Sequence, residues 1–313
     1  RIMMQNYAIA LFAFNRPELL QQTLAALSIN DLADEASLTI FCDGPRHEKD
    51  EPDTRAVREL AKKAQGFASL EVVERPQNMG CANSVINGLT EMFRLHERLI
   101  VIEDDIVTSP YTIRFLCEGL ARYADNEKVF NIAAWTPPHI TRQLSNSYAY
   151  DVYAIPRFNC WGWASWRDRF QDIDWEVKDY KTFRVSPQLR RAFNSGGEDL
   201  SPMLDMQMSG KINSWAIRAD YARFKKNMFG INPIRSYTLN IGMGSGTHTT
   251  TKTAYWDSDI SKAIKQPRFM DDVNIDSTIH KIYHACYNGE KRSFPIRAIN
   301  KLSRILSGKN IIP

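Results

Sequence analysis

Long apolar runs are missing from this chain. In 313 residues the longest uninterrupted apolar stretch is Tyr7 to Phe14, far short of the roughly 18 to 20 residues that span a bilayer. No charged-then-apolar leader precedes it, so neither a signal peptide nor a transmembrane helix is expected. Cysteine is scarce as well. Cys42, Cys81, Cys117, Cys160 and Cys286 are odd in number, scattered, and without a Cys-x-x-Cys pair, which points to reduced thiols and a cytoplasmic chain. Because the chain opens on Arg1 rather than methionine, a luminal or secreted domain remains an alternative. Internal repeats and low-complexity segments are absent. Hydrophobic residues at 43%, aromatics at 11% and charges at 24% exclude a disordered tail, a collagen-like repeat and a coiled coil.

Charge of one sign is also lacking. Lys and Arg number 40 against 36 Asp and Glu, a net +4. Residues 281–313 alone carry seven basic residues and one acidic one, so everything before them is slightly acidic. That asymmetry argues against a nucleic-acid partner, which needs a basic face, and for a basic appendage. The length fits one large domain or two.

The first 135 residues alternate apolar strands with amphipathic helices, the pattern of an α/β domain with a mixed, mainly parallel sheet flanked by helices. Tyr7-Ala-Ile-Ala-Leu-Phe-Ala-Phe14 suits a strand buried on both faces. It ends at Asn15-Arg16-Pro17, where Pro17 can open a helix whose face is Leu19, Leu20, Leu24 and Leu27. Ser37 to Cys42 repeats the pattern before Asp43-Gly44, Leu70 to Glu74 before Asn78-Met79-Gly80, and Leu99 to Ile102 before Glu103-Asp104-Asp105. Polar residues thus gather at the carboxyl ends of four strands, where ligands of open α/β sheets bind. The second half is richer in aromatics. The expected division is 1–135 for the α/β half that carries these loops, 136–260 for a second half of the same domain that completes the cleft, and 261–313 for a basic helical appendage.

Adjacent carboxylates behind a buried strand repel unless a cation or a proton offsets them. Glu103-Asp104-Asp105 therefore reads either as a site for Mn2+ or Mg2+ bridging protein and a diphosphate, or, over Asp105 to Ser109, as the cap of the helix through Tyr111 to Tyr123. Taken together, Ala13-Phe-Asn-Arg-Pro17, Phe41-Cys-Asp-Gly44, Asn78-Met-Gly-Cys-Ala-Asn83 and Val101-Ile-Glu-Asp-Asp105 resemble the successive loops of a GT-A glycosyltransferase. The likeness is to the animal N-acetylglucosaminyltransferase that starts complex N-glycans and to bacterial nucleotide-diphospho-sugar transferases, over about residues 7 to 250. It implies a Rossmann-like GT-A fold, a UDP-sugar or other nucleotide-diphospho-sugar donor, and a divalent metal. Residue by residue, it implies that Phe14 and Arg16 meet the donor nucleotide and that Asp43 reads uracil or ribose. It further implies that Asp105 ligates the metal and that Asp104 and Glu103 hold ribose or donor-sugar hydroxyls. Asn78 and Gly80 read either as donor contacts or as a turn in which Gly80 supplies a positive φ.

In the second half, Trp161 and Trp163 of Cys160-Trp-Gly-Trp-Ala-Ser-Trp166 resemble the aromatic segment that borders the acceptor; the alternative is that they are core. An inverting transfer needs a carboxylate to take the acceptor proton. Asp205 and Asp199 are the candidates on resemblance, each readable instead as a helix cap. Within Asn240-Ile-Gly-Met-Gly-Ser-Gly-Thr-His-Thr249, His248 resembles the residue that closes the site on metal or phosphate. His280 and His284, spaced i and i+4, read as a helix face because no third zinc ligand is evident. From Phe294 to Leu306, apolar residues at helical spacing alternate with Arg297, Lys301 and Arg304; this is either a membrane-interface helix or a docked C-terminal one. The reading is a metal-dependent inverting glycosyltransferase acting on a glycan or lipid-linked acceptor in cell-surface polysaccharide synthesis, at the inner face of the membrane. The alternatives are a sugar nucleotidyltransferase and a non-catalytic nucleotide- or carbohydrate-binding module.

Overall fold

A computed structural model describes residues 7–144, 147–242 and 256–287. Its strands are β1 (Tyr7–Ala13), β2 (Ser37–Cys42), β3 (Ser69–Glu74), β4 (Arg98–Glu103), β5 (Ile106–Thr108), β6 (Val129–Ala133), β7 (Val152–Ile155), β8 (Trp163–Trp166), β9 (Phe229–Pro233) and β10 (Thr238–Asn240). Eight of them form one sheet in the order β3-β2-β1-β4-β8-β6-β9-β7, and β5 pairs with β10 in a small antiparallel ribbon. Strands β1 to β4 are parallel neighbours, whereas β8 and β7 run against the strands beside them. The sheet is thus mixed and mainly parallel, and it continues across residue 136, the expected join between the two halves.

Strand β1 explains its own apolar run. Ile9, Leu11 and Ala13 enter one core with Leu20, Leu24, Leu27 and Val57, while Ala8, Ala10 and Phe12 enter a second with Val85, Leu89 and Trp163. A strand buried on both faces cannot alternate with polar residues. The first core is covered by α1 (Pro17–Ser28), α2 (Glu51–Lys62) and α4 (Thr112–Arg122); α3 (Cys81–Leu95) covers the second. Gly88 of α3 is required by contact, since a Cβ there would lie 2.4 Å from the Phe12 ring.

The later helices are α5 (Pro138–Gln143), α6 (Arg167–Phe170), α7 (Tyr180–Val185), α8 (Pro187–Phe193), α9 (Leu200–Met208), α10 (Trp215–Lys225) and α11 (Ser277–Tyr287). Helices α7 to α10 share a satellite core of Phe183, Phe193, Leu200, Leu204, Ile217 and Tyr221. Helix α11 buries Ile279 and Tyr283 in the first core, and His280 and His284 clip it to the Ser195 and Asn194 carbonyl oxygens at 2.6 and 3.0 Å. The two histidines form a docking face, as their spacing predicts. All five cysteines are free, and no helix among the described residues is long and apolar enough to cross a membrane.

Candidate active site

Strands β1 and β4 are adjacent and parallel, with Phe12 opposite Glu103, so their carboxyl ends open at one place. After β1 the chain turns through Phe14, Asn15 and Arg16 into α1, with Pro17 in the first turn. After β4 it turns through Asp104 and Asp105 into β5, and α4 begins only at Thr112. The acidic triplet is therefore a strand-to-strand turn, which removes the helix-cap alternative. Arg16 forks across it, one Nη on Asp104 and the other 2.8 Å from Asp105 Oδ2. Asp104 is further held by the Phe14 N–H at 3.4 Å, and its carbonyl accepts from Thr23 Oγ1 at 2.9 Å.

One guanidinium faces three carboxylates. Burial pushes the Asp104 carboxyl up to about 6 even though Arg16 pulls the other way. Burial, then the charges of Asp105 and Asp104, hold Glu103 well above the usual carboxylate range. Acids raised in this way lack counter-charge beyond Arg16, which a cation or a proton can supply. Nearby, burial and then the Glu103 charge raise the Cys160 thiol, so it is not an activated nucleophile.

Asp43 is 3% exposed and spends its carboxylate on protein donors. It accepts from the Gly44 N–H at 2.9 Å, the Met79 N–H at 2.8 Å, the Gly80 N–H at 3.0 Å and Asn78 Nδ2 at 3.1 Å. Asp43 and Asn78 thereby tie the end of β2 to the loop before α3. Gly80, at φ 76°, supplies the positive φ that the turn reading requires.

Arg16, Glu103 and Asp105 line a cleft of about 590 Å3 together with Trp161. Gly162 sorts the tryptophans on either side of it. Its φ of 78° turns the chain, and a Cβ would lie 2.8 Å from Thr238 Cγ2, so only glycine fits. Trp161 consequently faces the cleft, while Trp163 is fully buried against Phe158, Phe170 and Trp215. Trp163 is core, the alternative its sequence context left open.

The candidate bases are held by arginines. Asp205 receives both Nη atoms of Arg190, at 2.9 and 2.7 Å, and the Tyr180 hydroxyl at 2.9 Å; Arg190 and Tyr180 keep its carboxyl below the usual range. Asp199 stands at the cap position of α9 without capping it. Its carboxylate instead takes Arg157 at 2.8 and 2.7 Å. Neither aspartate lines the cleft. Arg157 does, with its guanidinium 3.7 Å over the Tyr287 ring.

Sequence reasoning missed Asp220. It lines the cleft from α10 at 2% exposure, held through Oδ1 by Arg223 Nε at 2.6 Å. Its Oδ2 accepts no hydrogen bond among the described residues. Burial raises its carboxyl against the pull of Arg223, Arg157 and the Phe158 N–H. Trp215, Ala216, Ile217 and Asp220 all line the cleft, but three of them are consecutive at the start of α10 and so point to different sides of it, and no periodic pattern in the sequence marks Asp220.

The roof over the acidic turn comes from β10. The Ile241 N–H donates to the Asp105 carbonyl at 2.9 Å, and a Cβ on Gly242 would lie 2.2 Å from Asp105 Oδ2. Glycine there leaves room at that oxygen, which in this structure accepts from Arg16. The donor set is all oxygen, as Mn2+ or Mg2+ prefer. No cluster of three ligating His, Cys, Asp or Glu side chains occurs among the described residues, so a cation at Asp105 would take its other ligands from phosphate and water. His248 and the basic stretch Phe294 to Leu306 lie outside the described residues.

No family model matches the chain, and no curated protein does. Among solved structures it is similar to the mannosyltransferase PcManGT from Pyrobaculum calidifontis in complex with GDP-Man and Mn2+. The identity is 14% and the TM-score 0.40, over 70% of this chain and 73% of that one. It is also similar to S. aureus TarS 1-349, with 9% identity and a TM-score of 0.43 over 75% and 60% of the two chains. For the longer S. aureus TarS structure the values are 10% and 0.37, over 55% and 30%. The chain spans less than two thirds of either TarS chain. What it does has to be argued from the cleft.

Proposed function

We propose that the chain is a metal-dependent, inverting GT-A glycosyltransferase that moves a sugar from a nucleotide-diphospho-sugar to a hydroxyl of a glycan or glycolipid. The observation that carries this reading is the acidic turn after β4, braced by Arg16, charged in excess and open to a cleft. Asp105 would hold Mn2+ or Mg2+, which when bound offsets charge on the departing diphosphate. Arg16 has the planar donor fork that suits a phosphate oxygen pair. Glu103 supplies an acceptor for a hydroxyl of ribose or donor sugar, whereas Asp104, implied for the same role, gives its oxygens to Arg16 and the Phe14 N–H and, like Phe14, does not line the cleft. UDP is the nucleotide on resemblance, with Asp43 shaping the loop that meets it. If His248 closes the site, it does so from the segment that follows Gly242.

In the transfer, the acceptor oxygen bonds to the anomeric carbon as the bond from that carbon to the diphosphate oxygen breaks. The electron pair leaves with the nucleoside diphosphate, and the hydroxyl proton passes to a carboxylate. We assign that role to Asp220, because it is the acid on the α10 wall of the cleft and its Oδ2 accepts no other hydrogen bond. Asp205 and Asp199 would have to leave their arginines first. Trp161 offers the acceptor ring an aromatic face.

The test is nucleotide release from a panel of UDP-, GDP- and other nucleotide sugars, with and without Mn2+, on wild type and Asp105→Ala. Release that is selective for one donor and needs both metal and Asp105 supports the reading. Absence of nucleotide binding by calorimetry, with no metal effect, would leave a non-catalytic binding module as the better account.

A further inference from the structure

Away from the acidic turn, the cleft is walled by α9 and the start of α10, and this wall is aliphatic. Leu200, Met203 and Met206 recur every third residue along one side of α9, and all three line the cleft. Ile212, whose N–H donates to the Met206 carbonyl at 3.4 Å, lines it beside them. On α10, Ile217 precedes Asp220 by three residues, so the two share a side of that helix, and Ile217 joins Leu200 in the satellite core. Exposure rises along this strip. Asp220 and Ile217 are 2% exposed and Leu200 1%, Met203 is half-buried, and Met206 is 38% exposed. An aliphatic path therefore runs from the candidate base to the mouth of the cleft.

The polar groups on this side are largely occupied by the protein itself. Ser214 Oγ accepts from the Ile217 N–H at 3.4 Å, Asn159 exchanges hydrogen bonds with the Tyr283 hydroxyl at 2.9 and 3.1 Å, and Arg157 is taken by Asp199. Of the buried polar side-chain atoms on residues that line the cleft, Asp220 Oδ2 and Trp135 Nε1 lack a hydrogen-bond partner among the described residues. One hydroxyl donating to Asp220 and one oxygen accepting from Trp135 would satisfy both. Further hydroxyls laid along the strip would lose water and gain no partner. We infer that the ligand on this side of the cleft is a glycoside with an aliphatic aglycone. Its sugar ring stands at Trp161, a hydroxyl meets Asp220, and its alkyl chain follows Leu200, Met203 and Met206 to solvent. Unbranched thioether side chains adapt to such a chain without dictating its shape. That this ligand is the acceptor rests on the transferase reading, whereas the alkyl subsite can be measured without nucleotide.

The experiment titrates the full chain, isotope-labelled at its methionine methyl groups, with methyl, butyl, hexyl and octyl β-D-glucopyranoside below micelle formation. Met203→Leu and Met206→Leu assign the two resonances. Each methylene withdrawn from water tightens binding by up to about fourfold, so affinity should rise about tenfold or more from butyl to octyl. The Met203 and Met206 methyl signals should move with the octyl compound. Met206→Glu, which sets a charge at the mouth of the cleft, should weaken octyl glucoside about tenfold while methyl glucoside binds as before. If that variant melts early, Ile212→Ser in the loop after α9 decides, with a several-fold loss expected. The inference is overturned if affinity is independent of chain length, as it would be for a cleft that takes a plain polysaccharide. It is equally overturned if Met206→Glu and Ile212→Ser both keep the chain-length dependence, which would put the alkyl chain elsewhere. Calorimetry with Mn2+ and nucleotide on the same protein tells the two readings apart. Nucleotide binding without chain-length dependence sinks the aglycone alone; chain-length dependence without nucleotide binding sustains the alkyl subsite and sinks the transfer.

Discussion

Replacing Arg16 by glutamine isolates the electrostatics of the candidate site from its chemistry. Arg16 is 24% exposed, its partners Asp104 and Asp105 3% and 13%, so the fork is largely withdrawn from water. Removing one member of a buried ion pair costs about 3 to 5 kcal/mol; the exposed quarter of Arg16 scales this to about 2 to 4 kcal/mol. At about 2.1 cal/mol/K per residue, unfolding a chain of this length carries an entropy of about 0.66 kcal/mol/K. The loss should therefore appear as a drop of about 3 to 6 °C in melting temperature without metal. Mn2+ at a hundred times its dissociation constant adds about 2.7 kcal/mol if it binds the folded state alone, which is about 4 °C. At one fixed Mn2+ concentration the gain should be larger in Arg16→Gln, where no guanidinium competes for Asp105, than in wild type. Differential scanning fluorimetry with and without Mn2+, with Asp105→Asn as control, reads all of this. If Arg16→Gln melts within about 1 °C of wild type, or Mn2+ shifts Asp105→Asn as much as wild type, the excess of negative charge does not govern the turn and the metal argument fails.

Gly242→Val should place a branched side chain on Asp105 Oδ2, weaken Mn2+-nucleotide binding about tenfold or more by calorimetry, and lower the melting temperature by a few degrees at most. Asp220→Asn should lower glycosyl transfer about a hundredfold or more while nucleotide binding persists; transfer at the wild-type rate would remove Asp220 from the reaction. Asp205→Asn tests the acid limb of stability. Because the folded carboxyl lies below its unfolded value, its contribution is present above the unfolded pKa of about 3.9 and fades as pH falls through the folded value. The pair is about a third exposed, so the variant should lose up to about 1 kcal/mol near neutral pH and converge with wild type near pH 2 in urea titrations. A constant difference at every pH would contradict this.

The half of the molecule built from parallel strands was legible because burial on both faces leaves no choice of residue. The Tyr7–Ala13 and Ser37–Cys42 strands stand where the apolar runs put them, and the polar loops do sit at the carboxyl ends. What escaped was set by distant neighbours. Asp205 and Asp199 look in sequence like available acids, yet Arg190 and Arg157 complete them. No local pattern announces that pairing. Trp161 and Trp163 have identical chemistry and opposite fates because of the φ of a glycine. The acidic turn was read as metal site or cap, and only the intervening β5 strand separates the two. Asp220 was passed over because its helix reads as ordinary amphipathic pattern, its meaning arising only from the cavity it faces.

The unbalanced charge of the Glu103-Asp104-Asp105 turn also bears on how this chain would respond to selection. Neutralising Glu103, which burial and its acidic neighbours already drive toward protonation, relieves repulsion that ordinary packing must overcome. A library sorted on heat resistance alone would therefore enrich substitutions in this turn and gain melting temperature there. Recovering the same positions unchanged would require that sorting be done with the nucleotide ligand present, so that survival and use of the cleft are scored together.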